Sequence, residues 1–383
     1  MYKKLKDLNW RPPADWEKIS TIDMHTGGEP LRILVDGYPK VKGDTILEKR
    51  KYFRDHYDHI RKATMWEPRG HADMYGAVIT EPCSRDADFG TFFLHNDGYS
   101  TMCGHAIIAL TKFVLDTKLI RKKGNQPTLK IDAPPGQIIA TGIREDGVVK
   151  SVSFKNVPSF VLYQDQYVQV PGLGRVQYDV AFGGAFYAIV NADKFNLSLD
   201  ASDYSKLIDL GMKIKKSVIN KQKINHPFEE DLSFLYGTIF TGKPYNSSRH
   251  SRNVCIFANG EVDRSATGSG VSARAALHHA RGDLKLGEKI SIESILGTTM
   301  EVELSSLTTF GPHKAIIPVV SGTASFTGKN NFWFDLDVKY LNPRGYYQYD
   351  KISAHGLPFH KSPQRCQMRS SCRLRPSRSL ELP

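Results

Sequence analysis

Short alternating or β-branched apolar runs, separated by turn residues, are the commonest pattern along this chain. Such runs predict β-strands with one or both faces buried. Asp146-Gly147, between Ile143 and Val148, predicts a tight hairpin turn. The clearest strand-like runs are Leu31–Val35, Ala77–Thr80, Thr91–His95, Thr128–Ile131, Val148–Phe154 and Ala315–Val320.

Helical periodicity occurs in fewer places. Residues 106–119 carry apolar side chains at helical spacing, residues 202–218 are amphipathic with lysines on one side, and residues 271–281 form a short alanine-rich segment. Because strands outnumber helices without regular βαβ alternation, the pattern predicts a strand-rich α+β protein.

Two segments share one local design: a strand, a polar loop of small residues, and the start of a helix. The first loop is Thr101-Met-Cys-Gly-His105, and the second is Asp263-Arg-Ser-Ala-Thr-Gly-Ser-Gly270. This repetition predicts two similar halves that face one another. Ala133-Pro-Pro-Gly136 interrupts the strand signal and is the expected boundary between them.

Composition narrows the function classes. The chain has 383 residues, enough for two domains, with 40% hydrophobic and 24% charged residues, as in globular proteins. No apolar run approaches the ~20 residues that span a bilayer, and no apolar stretch follows the charged start. We therefore expect a cytoplasmic protein that does not bind membranes.

The net charge of +12 does not predict nucleic-acid binding. The last 28 residues, 356–383, supply +5 of it, and the remaining cations are scattered among acidic residues without a basic stripe. A mild positive field favours small anionic ligands. The segment 356–383 itself has the composition of a basic, disordered tail.

The five cysteines lack the spacing of a metal site or of a disulfide framework. Cys83 and Cys255 lie in strand-like runs and are predicted to be core residues. Cys103 is different because it precedes a predicted helix and is followed by Gly104, which lets a ligand approach the backbone. Unpaired N–H groups and the positive end of the helix dipole stabilise a thiolate there, and a thiolate is a competent general base.

The second loop offers a matching anion site. Thr267, Gly268, Ser269 and Gly270 open the following helix, and Asp263 is an acceptor for an ammonium or imino group. Two facing helix N-termini would hold one α-amino-acid carboxylate with its Cα between Cys103 and Thr267. Each feature taken alone has a structural explanation: a small buried cysteine, a turn with a helix cap, and, for His105, a hydrogen bond at a helix start.

Four motifs in order resemble the proline racemase family. They are Met24-His-Thr-Gly-Gly-Glu-Pro30, Glu67-Pro-Arg-Gly-His71 with Asp73-Met-Tyr-Gly-Ala77, Met102-Cys-Gly-His105, and the second loop. The resemblance extends over about residues 17–330. It implies two pseudo-symmetric domains with a diaminopimelate-epimerase-like fold and an active site in the cleft between them. In that arrangement, residues 1–133, completed by about 321–350, form the first half, and residues 134–320 form the second.

The resemblance also implies roles for individual residues. Racemases and epimerases of the family carry a cysteine in each loop, whereas this chain has Cys103 in the first and Thr267 in the second. A Cys/Thr pair resembles the family's dehydratases of trans-3-hydroxy-L-proline, with Cys103 as base and Thr267 opposite it. Substrate contacts are then expected from Gly104, His105, Asp263, Gly268 and Ser269. No metal or organic cofactor is expected, and the family tendency is a homodimer.

Two other functions stay open at this stage. One is an isomerase of the same fold, a proline racemase or 4-hydroxyproline epimerase that works with one thiol and a water. The other is a catalytically inactive homologue that binds proline or a partner protein. The hydroxyl of Thr267 argues against the first, because its pKa lies far above the ~8.5 of a thiol, and an intact Cys103 argues against the second.

Overall fold

The computed structural model describes residues 1–334. The predicted tail 356–383, and the part of the first half expected beyond residue 334, lie outside the described residues. A short helix, α1 (Tyr2–Lys6), precedes the body of the molecule, which is built from two successive sets of strands and helices.

The first set contains two helices among seven strands, in the order β1 (Glu17–Thr26), β2 (Glu29–Asp36), α2 (Ile46–Met65), β3 (Tyr75–Thr80), β4 (Phe89–His95), α3 (Gly104–Asp116), β5 (Thr128–Ala133), β6 (Gly136–Glu145) and β7 (Val148–Lys155). The second contains two helices and ten strands, in the order β8 (Ser159–Val170), β9 (Gly174–Phe182), β10 (Phe186–Asn191), α4 (Tyr204–Lys221), β11 (Leu235–Gly242), β12 (Ser251–Phe257), β13 (Glu261–Val262), α5 (Gly268–Arg281), β14 (Lys289–Glu293), β15 (Thr299–Phe310), β16 (His313–Gly322) and β17 (Ala324–Phe334). Three short 3₁₀ turns, residues 192–195, 201–203 and 230–232, flank α4.

The two sets repeat one pattern of strand pairing. β1–β2, β3–β4 and β5–β6–β7 pair antiparallel, while β2–β3 and β4–β5 pair parallel. β9–β10, β11–β12 and β14–β15–β16 pair antiparallel, while β10–β11 and β12–β14 pair parallel. The predicted strand-rich α+β fold with two similar halves is therefore confirmed.

Helices α3 and α5 occupy equivalent places in the two halves and position the loops that precede them. Every residue from Gly104 to Leu115 of α3 is buried, and so is every residue from Gly268 to Leu277 of α5. Helices buried on all sides serve as the cores of the curved sheets around them. Their N-terminal ends are thereby held inside the molecule rather than at its surface.

The position of the boundary between the two halves stays a prediction. β5 and β6 pair across the expected boundary at 133/134, and α3 packs against β6 and β7. One end of β16 pairs with β7 and the other with β8, and β17 pairs with β1. These contacts favour a division after β7, near Asn156, with β17 returning to the first half.

The predicted helices correspond to α3, α4 and α5, each displaced by two or three residues at its start. The hairpin turn at Asp146-Gly147 is confirmed, since both residues have positive φ. The long helix α2 was not predicted.

The predicted core assignment of Cys83 is wrong, because Cys83 lies exposed in the loop after β3, whereas Cys255 is buried as expected. Within residues 1–334, no helix combines the length and apolarity needed to cross a membrane.

Candidate active site

The N-termini of α3 and α5 meet backbone to backbone. A Cβ atom added at Gly104 would lie 2.6 Å from the Cα of Gly268, and one added at Gly268 would lie 2.6 Å from the Cα of Gly104. Only glycines allow this approach, since real Cβ atoms do not come closer than about 3.0 Å to such neighbours. Two sets of unpaired helix N–H groups and two positive dipole ends therefore converge on one place.

Cys103 is the N-cap of α3, and its Sγ accepts from the backbone N–H of Ala106 at 3.4 Å. Cys103 is only 4% exposed. Burial raises the pKa of the thiol well above its ordinary value, and the Ala106 N–H and the Tyr75 hydroxyl lower it by less. The helix N-terminus thus stabilises the thiolate, but desolvation has the larger effect on its pKa.

His105 and Ser269 occupy matching places one residue into the two helices. The His105 Nδ1 lies 3.1 Å from the Cys103 Sγ, and burial lowers the pKa of the imidazole to about 3, so the ring is neutral. The Ser269 hydroxyl lies 2.7 Å from the Tyr187 hydroxyl. Both side chains are buried and present polar atoms inside the site.

Thr267 precedes α5 in a conformation that is costly for its residue type. Its φ is +68° and its ψ is +93°, in a region that β-branched residues rarely adopt. Its hydroxyl forms no capping bond to the helix, and Oγ1 is buried without a hydrogen-bond partner among the described residues. Strain together with an unsatisfied buried hydroxyl is typical of a residue held for contact with a ligand.

Asp263 lies at the other end of the same loop, 4% exposed, and accepts from the backbone N–H of Ser265 at 2.8 Å. Burial raises the pKa of its carboxyl to about 6, against the opposing effect of hydrogen bonds from Ser265. Since this value stays below neutrality, Asp263 is mostly ionised at pH 7 and can pair with a cationic ligand nitrogen.

Two acidic residues of the first half hold this loop through Arg264. The Glu29 Oε2 accepts from the Arg264 backbone N–H at 2.7 Å, and Asp73 pairs with the guanidinium at 2.6 Å. Asp73 also accepts from the Val262 N–H and the Tyr204 hydroxyl. Burial and the neighbouring Asp263 raise the pKa of Glu29 well above its ordinary value. The motifs that contain Glu29 and Asp73 therefore join the two halves beside the site.

All seven residues singled out in the sequence are buried and line one small cavity: Cys103, Gly104, His105, Asp263, Thr267, Gly268 and Ser269. The sequence reasoning missed six further lining residues, which are Tyr75, Met102, Tyr187, Tyr236, Cys255 and Phe257. The Tyr236 and Phe257 rings lie 5.4 Å apart and Tyr75 lies 6.1 Å from Phe257, so they form an aromatic wall. Among the described residues, no cluster of three or more histidine, cysteine or acidic side chains is placed to hold a metal ion.

This arrangement suits a small zwitterionic amino acid, which carries both a carboxylate and an ammonium group. Helix N–H groups converge on a carboxylate position, a carboxylate stands ready for an ammonium, and a thiol and a hydroxyl lie on the two loops. The aromatic wall matches an apolar ring. Such a site can remove a proton next to a carboxylate.

Comparison with known proteins agrees with this interpretation of the site. Residues 21–342 match the family model described as "Proline racemase". A protein from Colwellia psychrerythraea named trans-3-hydroxy-L-proline dehydratase is 50% identical over 333 residues, covering 86% of this chain and 94% of its own. A human protein of the same name is 45% identical, covering 85% and 94%.

Solved structures share the fold. A hydroxyproline epimerase from Agrobacterium vitis, with bound trans-4-hydroxy-L-proline, superposes with a TM-score of 0.79 at 26% identity, covering 86% of this chain and 94% of its own. A probable proline racemase from Agrobacterium radiobacter, with bound carbonate, has the same TM-score and identity, covering 87% and 97%.

Proposed function

The chain belongs to the proline racemase family, and on that premise we propose that it is a hydro-lyase that dehydrates trans-3-hydroxy-L-proline to a pyrroline-2-carboxylate. One observation carries the choice within the family. The helix N-terminus of α3 presents the Cys103 thiol, and the facing N-terminus of α5 presents the Thr267 hydroxyl.

Binding would place the three polar parts of the substrate on three groups of the site. The carboxylate lies against the helix N–H groups around Gly104 and Gly268, which the close contact of the two glycines brings together. The ring nitrogen, as ammonium, pairs with Asp263, whose pKa is raised by burial of the carboxyl. The ring carbons then face the aromatic wall, and Cα comes to lie beside Cys103.

Cys103 acts as the base. Its thiolate is stabilised by the N-terminus of α3 and by the cationic ring nitrogen of the bound substrate, which compensates its charge. The Cα–H bond breaks, the proton passes to sulfur, and the electron pair is delocalised into the carboxylate. The converging helix N–H groups stabilise that developing charge, as an oxyanion hole does.

The stereochemistry of the substrate then determines how the hydroxyl leaves. In the trans isomer the 3-hydroxyl is opposite the carboxylate, so it shares a ring face with the α-proton. Cys103 therefore stands beside both, and the proton that it has accepted can pass to the leaving oxygen. The carbanion pair forms the C2–C3 double bond, the C3–O bond breaks and water departs. The resulting enamine gains a proton on C3 and loses one from nitrogen to give the cyclic imine.

Thr267 faces the opposite side of the ring in this scheme. A hydroxyl of ordinary alcohol pKa neither supplies nor removes a proton at neutral pH. The carbanion is therefore not reprotonated with inversion, and elimination is its productive outcome. A racemase or epimerase needs the acid that Thr267 does not supply, so these alternatives are not favoured. An inactive binding homologue is not favoured either, because it needs neither the thiol nor the strained Thr267 backbone.

The direct experiment is incubation of the purified protein with trans-3-hydroxy-L-proline and detection of the pyrroline by borohydride reduction to proline. The cis-3-hydroxy epimer is the matched control, because its hydroxyl lies on the face away from Cys103. We expect turnover of the trans isomer and little of the cis isomer. Proline racemisation without pyrroline formation would contradict the proposal.

We also propose a cytoplasmic location and a homodimeric assembly. The reduced thiol that the mechanism requires supports the first, and the tendency of the family supports the second. Sedimentation of the purified chain and fractionation of cells test them.

A further inference from the structure

A basic groove of about 810 Å³ lies near the C-terminal end of α5, away from the candidate active site at its N-terminus. Its other walls are formed by β8, β9 and the turn between them, by β10 and the turn after it, and by β11 and α4. We call this feature the basic groove. Its charged lining consists of five cations and one carboxylate, which are Arg175, Lys194, Lys206, Arg274, Arg281 and Asp179.

The single lining carboxylate is already engaged. Asp179 pairs with Arg281 at 2.9 Å, and Asp165 accepts from the same guanidinium at 3.0 Å. Arg175 instead lies over the Tyr167 ring at 3.9 Å, and Lys206 donates to a backbone carbonyl. The groove therefore keeps an excess of positive charge that its own acidic residue does not neutralise.

Arg274 is the unusual member of this set because it is buried, only 5% exposed. Its guanidinium donates to the Ser251 hydroxyl and the Asn253 Oδ1, both at 2.8 Å, and lies 3.0 Å from the His278 Nε2. All three partners are neutral: burial and Arg274 itself lower the pKa of His278 to about 4. Among residues 1–334, no carboxylate lies within ion-pair distance of Arg274.

A buried cation without a counterion is costly, because desolvation is not repaid by Coulomb attraction. The same burial lowers the pKa of Arg274 to about 10, although the group stays charged at neutral pH. Three of the five guanidinium N–H groups have protein partners, which leaves two for a ligand. A guanidinium so placed matches the oxygen geometry of phosphate and pairs with it through two parallel hydrogen bonds.

We propose that the basic groove is a binding site for a small multivalent anion of the phosphate class, with Arg274 at its inner end and Lys194 and Lys206 at its rim. The volume is within the range of sites for small molecules. The site is separate from the proposed substrate cavity, since the two share no lining residue.

The groove is also connected to the candidate active site. Arg274 donates to Asn253, and the Asn253 Nδ2 donates to the carbonyl of Ala266 at 3.1 Å, immediately before Thr267. Arg274 lies six residues after Gly268, about 9 Å along the same rigid helix. An anion that fixes Arg274 therefore also restrains the loop that carries Asp263 and Thr267.

The test is isothermal titration of the full chain with inorganic pyrophosphate at constant ionic strength. We expect saturable binding of one pyrophosphate per chain. Lys194→Gln with Lys206→Gln should weaken it about tenfold, as the charge contacts of two exposed lysines are lost. Arg274→Lys keeps the charge but loses the planar fork, and we expect a weaker Kd there too.

The control is Lys150→Gln with Lys155→Gln, two exposed lysines of β7 outside the groove, which lowers the net charge by the same amount. Its Kd should equal that of the unmodified chain. Equal affinities of the groove and control variants would overturn the proposal, as would a titration that never saturates. Amide exchange of residues 263–268 should slow with pyrophosphate in the unmodified chain, and unchanged exchange would remove the coupling to the active site. None of these readouts depends on turnover.

Discussion

Replacing Gly104 by alanine tests whether contact between the two helix N-termini sets the catalytic geometry. The new Cβ would lie 2.6 Å from Cα and 2.9 Å from the carbonyl carbon of Gly268, both backbone atoms that cannot rotate away. Ordinary contact begins at 3.4 Å, so the helices must separate by about 0.8 Å. The φ of Gly104 suits any residue, so the perturbation is steric rather than conformational.

This separation has two expected costs. Overpacking of a fitted contact destabilises a protein by about 1–3 kcal/mol. Displacement of reacting groups by about 1 Å lowers the rate on the order of 100-fold, because the substrate no longer reaches a near-attack geometry. We therefore expect Gly104→Ala to lose about two orders of magnitude in kcat/KM for trans-3-hydroxy-L-proline while keeping a cooperative melting transition.

Gly98→Ala is the matched control, since a Cβ at Gly98 meets no atom within 4 Å and its φ is also unexceptional. Steady-state dehydration and thermal melting should be measured for both variants beside the unmodified chain. Gly98→Ala should behave as the unmodified chain does in both assays. If Gly104→Ala also keeps its kcat/KM within twofold and its Tm within a degree, the helix N-termini do not control the reaction and the reasoning fails.

Four further predictions concern single side chains. Cys103→Ser should abolish dehydration without changing the melting curve, because an alcohol is no base at neutral pH; measurable turnover would exclude Cys103 as the base. Thr267→Cys should let L-proline exchange its α-proton with inversion in heavy water, seen by mass and optical rotation, and exchange by the unmodified chain would refute this role of Thr267. The pKa of Asp263 is raised to about 6, so the folded protein binds this proton more tightly than the unfolded chain and stability falls as pH rises through 6. Asp263→Asn should therefore gain up to about 3 kcal/mol at pH 8 but not at pH 4, while substrate affinity drops; a pH-independent Tm difference would contradict this. Exposed Cys83 should react with iodoacetamide far faster than Cys103 and Cys255 by peptide mass spectrometry, and equal rates would show that the cavity is open.

The loops that build the site were predictable because their chemistry is local. A cysteine or threonine followed by glycine at a helix start shows its anion-binding capacity in a few consecutive residues. The repetition of that design also predicted two similar halves. The touching of Gly104 and Gly268 was not predictable, because it depends on contacts between residues 164 positions apart.

Helix α2 was missed because its buried face is partly cationic. Lys49, Arg50 and Arg61 are buried and donate to backbone carbonyls of other segments, so the apolar period is interrupted. The N-terminal signal was present nonetheless: Thr45 and Glu48 form a capping box. That motif predicts a helix start even where the apolar pattern is weak.

The aromatic wall and Cys255 were missed for another reason. Tyrosines and a cysteine in strand-like runs are usually core residues, and Tyr75, Tyr236 and Cys255 are indeed buried. Only the tertiary structure shows that the core at this point borders a cavity. Residue type and periodicity predict burial, whereas the difference between core and site wall depends on what the facing half leaves empty.

The residues that line the cavity are all buried, so entry of a substrate requires some movement of the two halves against one another. Beside the site, Arg264 joins them through its backbone N–H on Glu29 and its guanidinium on Asp73. The guanidinium is 26% exposed, so water replaces much of its interaction on opening and the ion pair contributes only about 1 kcal/mol. The Glu29 contact is different: its carboxyl is fully buried with Oε1 unpartnered, so separation of the halves relieves a desolvation penalty. The Arg264 contacts therefore add little to the free energy that holds the two halves together, whereas a bound zwitterion adds ion pairs with Asp263 and with the helix N-termini.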